Sequence, residues 1–184
     1  MKTIEKLFEN DGLSEKIKER IDRLADKIGG KVVLFDTHQI IFESRNKSGM
    51  NSLMALSDRI GEKLESEWNE FYQSLVSKKQ PFFLEDIHGL IIFWMPIMEE
   101  DEYLGGLLGH GGFWGDVQNE EEKHLKREKL YYALNLREEK ITWEKFNEAV
   151  NEFKFIELAN LTSETTALAV LLNVLITENI SVNA

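Results

Sequence analysis

Gly105, Gly106, Gly109, Gly111, Gly112 and Gly115 are half of this chain's 12 glycines, and they stand directly behind its longest apolar run, Leu90 to Met98 (LIIFWMPIM). Glycine inside a strand costs backbone entropy and leaves nothing to pack, so such crowding marks bulges or a close approach by another group. The run before it is rich in aromatic and β-branched residues, as a central strand is. Together they read as a hairpin: Leu90 to Met98 up, Glu99 to Glu102 around, Tyr103 to Phe113 back. Alternation puts Leu90, Ile92 and Trp94 on one face and Ile91, Phe93 and Met95 on the other. Both faces are apolar, so the strand is expected to be buried on both sides. Pro96 cannot donate to a ladder and predicts a bulge or an unpaired edge. Glycines opposite bulky aromatics leave space, so the hairpin is expected to form one wall of a ligand pocket.

The other elements follow from spacing. Ile17, Ile21, Leu24 and Ile28 mark an amphipathic helix over Leu13 to Ile28, stopped by Gly29-Gly30. Lys31 to Asp36 and Gln39 to Glu43 read as short strands about an Asp36-Thr37-His38 turn, with a polar loop from Ser44 to Gly49. Leu53, Leu56, Ile60, Leu64, Trp68, Phe71 and Leu75 predict one long helix over Asn51 to Lys79, ended by Pro81. Phe82 to Leu84 is a short strand. Asn119, Thr142 and Ser163 are candidate caps for helices over Glu120 to Arg137, over Trp143 to Asn160, and from Ser163 onward. Hairpins flanked by helices predict an α/β fold of the α+β type: an antiparallel sheet covered by helices, with a helical C-terminal extension. Residues 1–118 form the expected core, and 119–184 a helical part of the same domain.

Composition excludes more than it names. The formal net charge of −11 disfavours nucleic acid and anionic membrane as partners. Without cysteine there is no disulfide, thiol catalysis or thiolate metal site. The N-terminus lacks a signal-like apolar core, and Ala167 to Ile176 is an apolar stretch of only ten residues, so a cytoplasmic module is expected.

Gly109-His110-Gly111 fails as a dinucleotide loop, because Trp114 stands where the last glycine belongs and Glu120-Glu121-Glu122 opens the next helix. The acidic residues Glu62, Glu65, Glu67 and Glu70 read as a solvated helix face. Of the histidines His38, His88, His110 and His124, none has a paired metal-ligand spacing. His88 and His110 flank the hairpin. The ordinary reading of His110 is a core or rim histidine, with a ligand contact or a metal or haem ligand as the alternatives. Phe93, Trp94, Phe113 and Trp114 could line an apolar cavity or simply be core. Nothing nominates a nucleophile with its base, so an enzyme is not expected.

His88-GLIIFWMP-Ile97 followed by Tyr103-LGGLLGH-Gly111 resembles the PocR-type sensory domain, a relative of the GAF and PAS families. The matching positions are Gly89-Leu90, Pro96-Ile97, Tyr103-Leu104-Gly105 and Gly109, and upstream Ser57-Asp58 is similar to that family's Ser-Asp. The resemblance spans Leu13 to Gly115. The family's cysteines are missing: Met54 stands in one place and Asp86 near the other. What the resemblance implies is a non-catalytic sensor of a small organic molecule, acting in signal transduction or transcription regulation. It would be joined to a kinase, chemotaxis or regulator output and would dimerise through its terminal helices. On that reading the ligand sits between the sheet and the Asn51 to Lys79 helix. Phe93, Trp94, Phe113 and Trp114 would be the apolar wall, and Ser57, Asp58, His88 and His110 the hydrogen-bonding groups. No resident cofactor is expected. A haem or metal sensor using His88 or His110, and an interaction module without ligand, are the alternatives.

Overall fold

The seam of Ile17, Ile21, Leu24 and Ile28 is buried on helix α1 (Asp11–Ile28). Asn10 caps its start by accepting a hydrogen bond from the Leu13 N–H, and Gly29 ends it in the left-handed region at φ 64°. A short 3-10 turn (Ile4–Phe8) precedes it and also buries its apolar residues. The computed structural model describes residues 4–45, 48–75, 78–115 and 118–182.

Strands β1 (Lys31–Asp36), β2 (Ile40–Glu43), β3 (Phe82–Glu85), β4 (Ile91–Glu99) and β5 (Glu102–His110) form one antiparallel sheet in the order β2-β1-β5-β4-β3. The expected alternation along β4 holds. Ile91, Phe93, Met95 and Ile97 join the core under α1 and the C-terminal helix, whereas Ile92 and Trp94 join the core under a second helix on the opposite face. The protein is therefore an α/β fold with an antiparallel sheet between helical layers. Pro96 lies beyond the reach of β3, whose pairing stops at Trp94, so the missing donor falls where β4 has become an edge.

The helix expected over Asn51 to Lys79 is two helices, α2 (Ser48–Met54) and α3 (Asp58–Leu75). Ser57 causes the break: its hydroxyl accepts the Ile60 N–H at 3.3 Å, as an N-cap does, and Asp58 places a carboxylate in the positive first turn. Helix α3 ends six positions before Pro81, so proline does not set that boundary.

The returning strand ends at His110, not Phe113. Phe113–Trp114 is a separate strand, β6, which runs parallel to β7 (Phe155–Ile156) in a two-stranded sheet that periodicity did not reveal. Helix α4 (Glu120–Ala133) and α5 (Trp143–Ala149) are shorter than expected, although Asn119 and Thr142 do cap them. The last helix, α6 (Leu158–Val182), begins before Ser163, which lies inside it. Its face of Leu161, Thr165, Leu168, Leu172 and Ile176 is buried, and the helix contacts β4. The segment Leu158–Glu178 is also long and apolar enough to cross a membrane.

The glycines of β5 are explained by their neighbours. Phe93 is paired with Gly109, and a Cβ on Gly109 would overlap its ring. A Cβ on Gly106 would strike the six-membered ring of Trp94, which reaches there diagonally. The space left by glycine is thus filled by the protein's own rings. Gly109→Ala is expected to lower stability by about 1–3 kcal/mol, because Phe93 is fully buried and has nowhere to move. Gly12→Ala, at an uncrowded helical position, should not lower it. Urea unfolding midpoints check both, and equal midpoints for Gly109→Ala and the parent would contradict this packing account.

Candidate functional site

Helix α3 lies over the sheet face formed by Val33, Phe35, Ile92, Trp94 and Leu108, to which it contributes Trp68, Phe71, Tyr72 and Leu75. At one end of that interface the chain gathers its polar groups. His110 closes β5, level with Lys31 of β1 and Ile92 of β4. Asp86 follows β3 and organises the turn into β4: its Oδ1 accepts the N–H groups of His88 and Leu90, each at 2.8 Å. Gly89 completes that turn at φ 84°. The other oxygen, Oδ2, hydrogen bonds with His110 Nε2 at 2.8 Å.

Burial raises the Asp86 carboxyl, but the hydrogen bond and charge of His110, the Leu90 N–H and the charge of His88 outweigh it. The net effect holds Asp86 below the usual carboxylate range. A second imidazole–carboxylate pair joins α3 to the same turn, with His88 Nε2 and Glu67 Oε2 at 2.6 Å. His88 is 2% exposed, and its Nδ1 has no hydrogen-bond partner among the described residues.

Trp68 stacks on His110, with ring centroids 5.5 Å apart and planes 12° from parallel. Lys31 Nζ lies 5.1 Å from the Trp68 ring centroid and 2.9 Å from Glu43. Clefts open on either side of the stack, and both are lined by Trp68 and His110. The larger, about 460 Å³, has walls of Phe71, Leu84, Ile87 and Ile92 and also touches Glu67, Glu70, Glu85 and Asp86. The other, about 380 Å³, lies between α3 and α2 and reaches Lys31, Glu43, Asn51, Glu65 and Asn69. Both are large enough for a small ligand.

Of the residues expected to form a site, His110 alone lines these clefts, and His88 stands behind Glu67. Ser57 and Asp58 start α3 and line neither. Phe93 and Trp94 are fully buried, and the Trp94 Nε1–H is used on the Lys78 carbonyl at 2.9 Å. Phe113 is enclosed by Phe153 and Phe155, with ring centroids 5.8 and 5.0 Å away, and Trp114 packs against the α1–α6 core. Phe93, Trp94 and Phe113 are core, and Trp114 is half-buried at its margin.

Sequence reasoning missed Trp68 and Phe71 as lining, taking them for an ordinary apolar face; its solvated acidic face holds for exposed Glu62, Glu65 and Glu70, while Glu67 is half-buried against His88. It also missed Asp86, although Asp86 followed by Gly89 is a turn signature. No protein-family model, curated protein or solved structure matches this chain.

Asp86→Asn is expected to lower stability by about 1–3 kcal/mol at neutral pH, because it removes an ionised acceptor that holds two N–H groups and an imidazole. The lowered carboxyl fixes the sign of the pH effect. The unfolded chain takes up this proton at a higher pH than the folded one, so the Asp86 contribution is present above the usual carboxylate range and is lost as pH falls through and below it. Urea unfolding at pH 7 and pH 3 should show a smaller acid loss in Asp86→Asn than in the parent. Identical losses would separate Asp86 from the acid response.

Proposed function

We propose that this domain is a non-catalytic sensor that binds a small organic molecule between α3 and the sheet, as the PocR-type resemblance implies. The observation that carries this reading is the pair of clefts around the Trp68–His110 stack. A stacked tryptophan between a helix and the end of a central strand can be displaced or covered by a ligand without unfolding the core beneath it, where Trp94 is sealed. The polar groups on hand suit recognition better than reaction. Asp86 and His110 hold each other, but among the described residues no serine, threonine or lysine hydrogen bonds with His110 to complete a nucleophilic set. Both His88 and His110 give Nε2 to a carboxylate, which favours an organic ligand over haem or metal at these positions.

A thermal-shift screen of small alcohols, diols, carboxylates, amines and amino acids tests this reading. A ligand at 100 times its Kd should add about 2.7 kcal/mol, which moves the melting temperature by several degrees. It should also change the emission of Trp68, a change that Trp68→Phe abolishes. A flat screen, with no absorbance band from a bound chromophore, would transfer the function to protein interaction.

Helix α6 favours a second, compatible reading, a homodimer formed through this terminal helix. Val170 and Val174, one turn apart and 56% and 45% exposed, face away from the sheet beside exposed Ala167. Val174→Glu is expected to convert a dimer to a monomer in sedimentation without changing the melting temperature of the dilute protein. A parent that sediments as a monomer at high concentration would remove this reading.

A further inference from the structure

The larger cleft carries charge of one sign. Glu67, Glu70, Glu85 and Asp86 line it, and among the described residues no lysine or arginine does. The four carboxylates are not equally free. Asp86 is committed through both oxygens to the turn and to His110. Glu85 is held by Lys126 and, at 3.6 Å, by Lys129. Glu67 gives Oε2 to His88, while its Oε1 meets Lys63 only at 4.0 Å. Glu70 is exposed and has no partner among the described residues. It stands three residues from Glu67, so the two share one face of α3.

The apolar side of the cleft is equally unfinished. Ile87, 75% exposed, and Leu84, 39% exposed, present hydrocarbon to water at its rim, above buried Ile92. A ligand with an apolar body would cover that surface. An anionic head would meet like charge at Glu67 and Glu70, and a neutral head would leave Glu70 without an ionic partner.

We infer that the larger cleft takes an organic ammonium ion with an apolar body, its hydrocarbon against Leu84, Ile87 and Ile92 and its nitrogen between Glu67 and Glu70. This rests on the ligand-binding reading above and names the chemical class of the ligand. The protein's net charge of −11 draws such cations toward it.

The test uses the full chain and three probes that share a phenyl group but differ in head group: 2-phenylethylamine, 2-phenylethanol and phenylacetate. Binding is followed by tryptophan emission and calorimetry in the parent and in Glu70→Gln. Because Glu70 is exposed and unpaired, the variant should keep the parent's melting temperature. The amine is expected to bind most tightly, to weaken about tenfold or more in Glu70→Gln, and to weaken with added salt. Tighter binding of the alcohol or the phenylacetate, or amine binding indifferent to Glu70→Gln, would overturn the cationic assignment while the ligand-binding reading stands. No binding by any of the three also overturns it, and the broad screen described above then decides the sensor reading separately.

Discussion

Three stretches of backbone pass one another so closely that side chains have no room, and the rest of the fold depends on that crossing. A Cβ on Gly30 would meet the backbone of His110 and Gly111, and one on Gly112 would meet the carbonyls of Ile28 and Lys154. Gly111 and Gly112 run through at φ 129° and 71°, a conformation L side chains rarely adopt. The crossing is stitched by main-chain bonds: Gly111 N–H to Ile91, Phe113 N–H to Lys154 and Lys154 N–H to Ile28, at 3.0, 2.9 and 3.2 Å. It fixes the end of α1, the end of β5 and the approach to α6 relative to one another. One segment from the C-terminal half is thereby bound into the sheet core.

The candidate site inherits its geometry from that crossing. His110 is the last residue of β5 before the glycines, so its backbone is set by the crossing on one side and by the ladder to Lys31 and Ile92 on the other. The ring is then set from outside the sheet, by Asp86 Oδ2 and by the Trp68 face. Asp86 cannot drift, because its other oxygen holds the turn that leads into β4. An imidazole–carboxylate pair held from several sides results, with α3 laid over it by the Trp68 stack and the Glu67–His88 hydrogen bond and anchored farther along by Tyr72 on Phe35 and by buried Leu75. The candidate cleft therefore lies between a floor of sheet and turn and a helix packed across it.

The sheet was legible because its signals are local and strong. The aromatic, β-branched run of β4 and the seam of α1 each carry one period, and both elements appear at or near the expected bounds. The glycine cluster correctly marked close approach, but two different things approach: the protein's own rings at Gly106 and Gly109, and its own backbone at Gly111 and Gly112. Neither partner is close in sequence to the glycines it touches, so spacing could not tell self-packing from a ligand wall. The same difficulty hid the site. Glu67 and Trp68 look like any solvated and any apolar position on a helix until a turn about 20 residues onward supplies Asp86 and His88. The split between α2 and α3 was written in Ser57, which the sequence reading placed inside one long helix as part of a family motif and not at a helix start.

The layering also limits how a signal could travel. The α3 face and the α6 face share β4, and successive residues of that strand point to opposite sides: Ile92 and Trp94 to one, Phe93 and Met95 to the other. Trp94 and Phe93 are fully enclosed and each covers a glycine of β5, so small rotations of either ring are blocked by backbone. A sheet so filled resists local bending between its faces. Coupling between a bound ligand and α6 therefore requires a displacement that moves whole elements, such as α3 sliding over its floor, with unequal ligand affinity for the two positions. Because α3 is packed on that floor through Tyr72 and buried Leu75 as well as Trp68, such a slide has to give up the Phe35–Tyr72 stack, 4.5 Å between ring centroids, together with the Trp68–His110 stack.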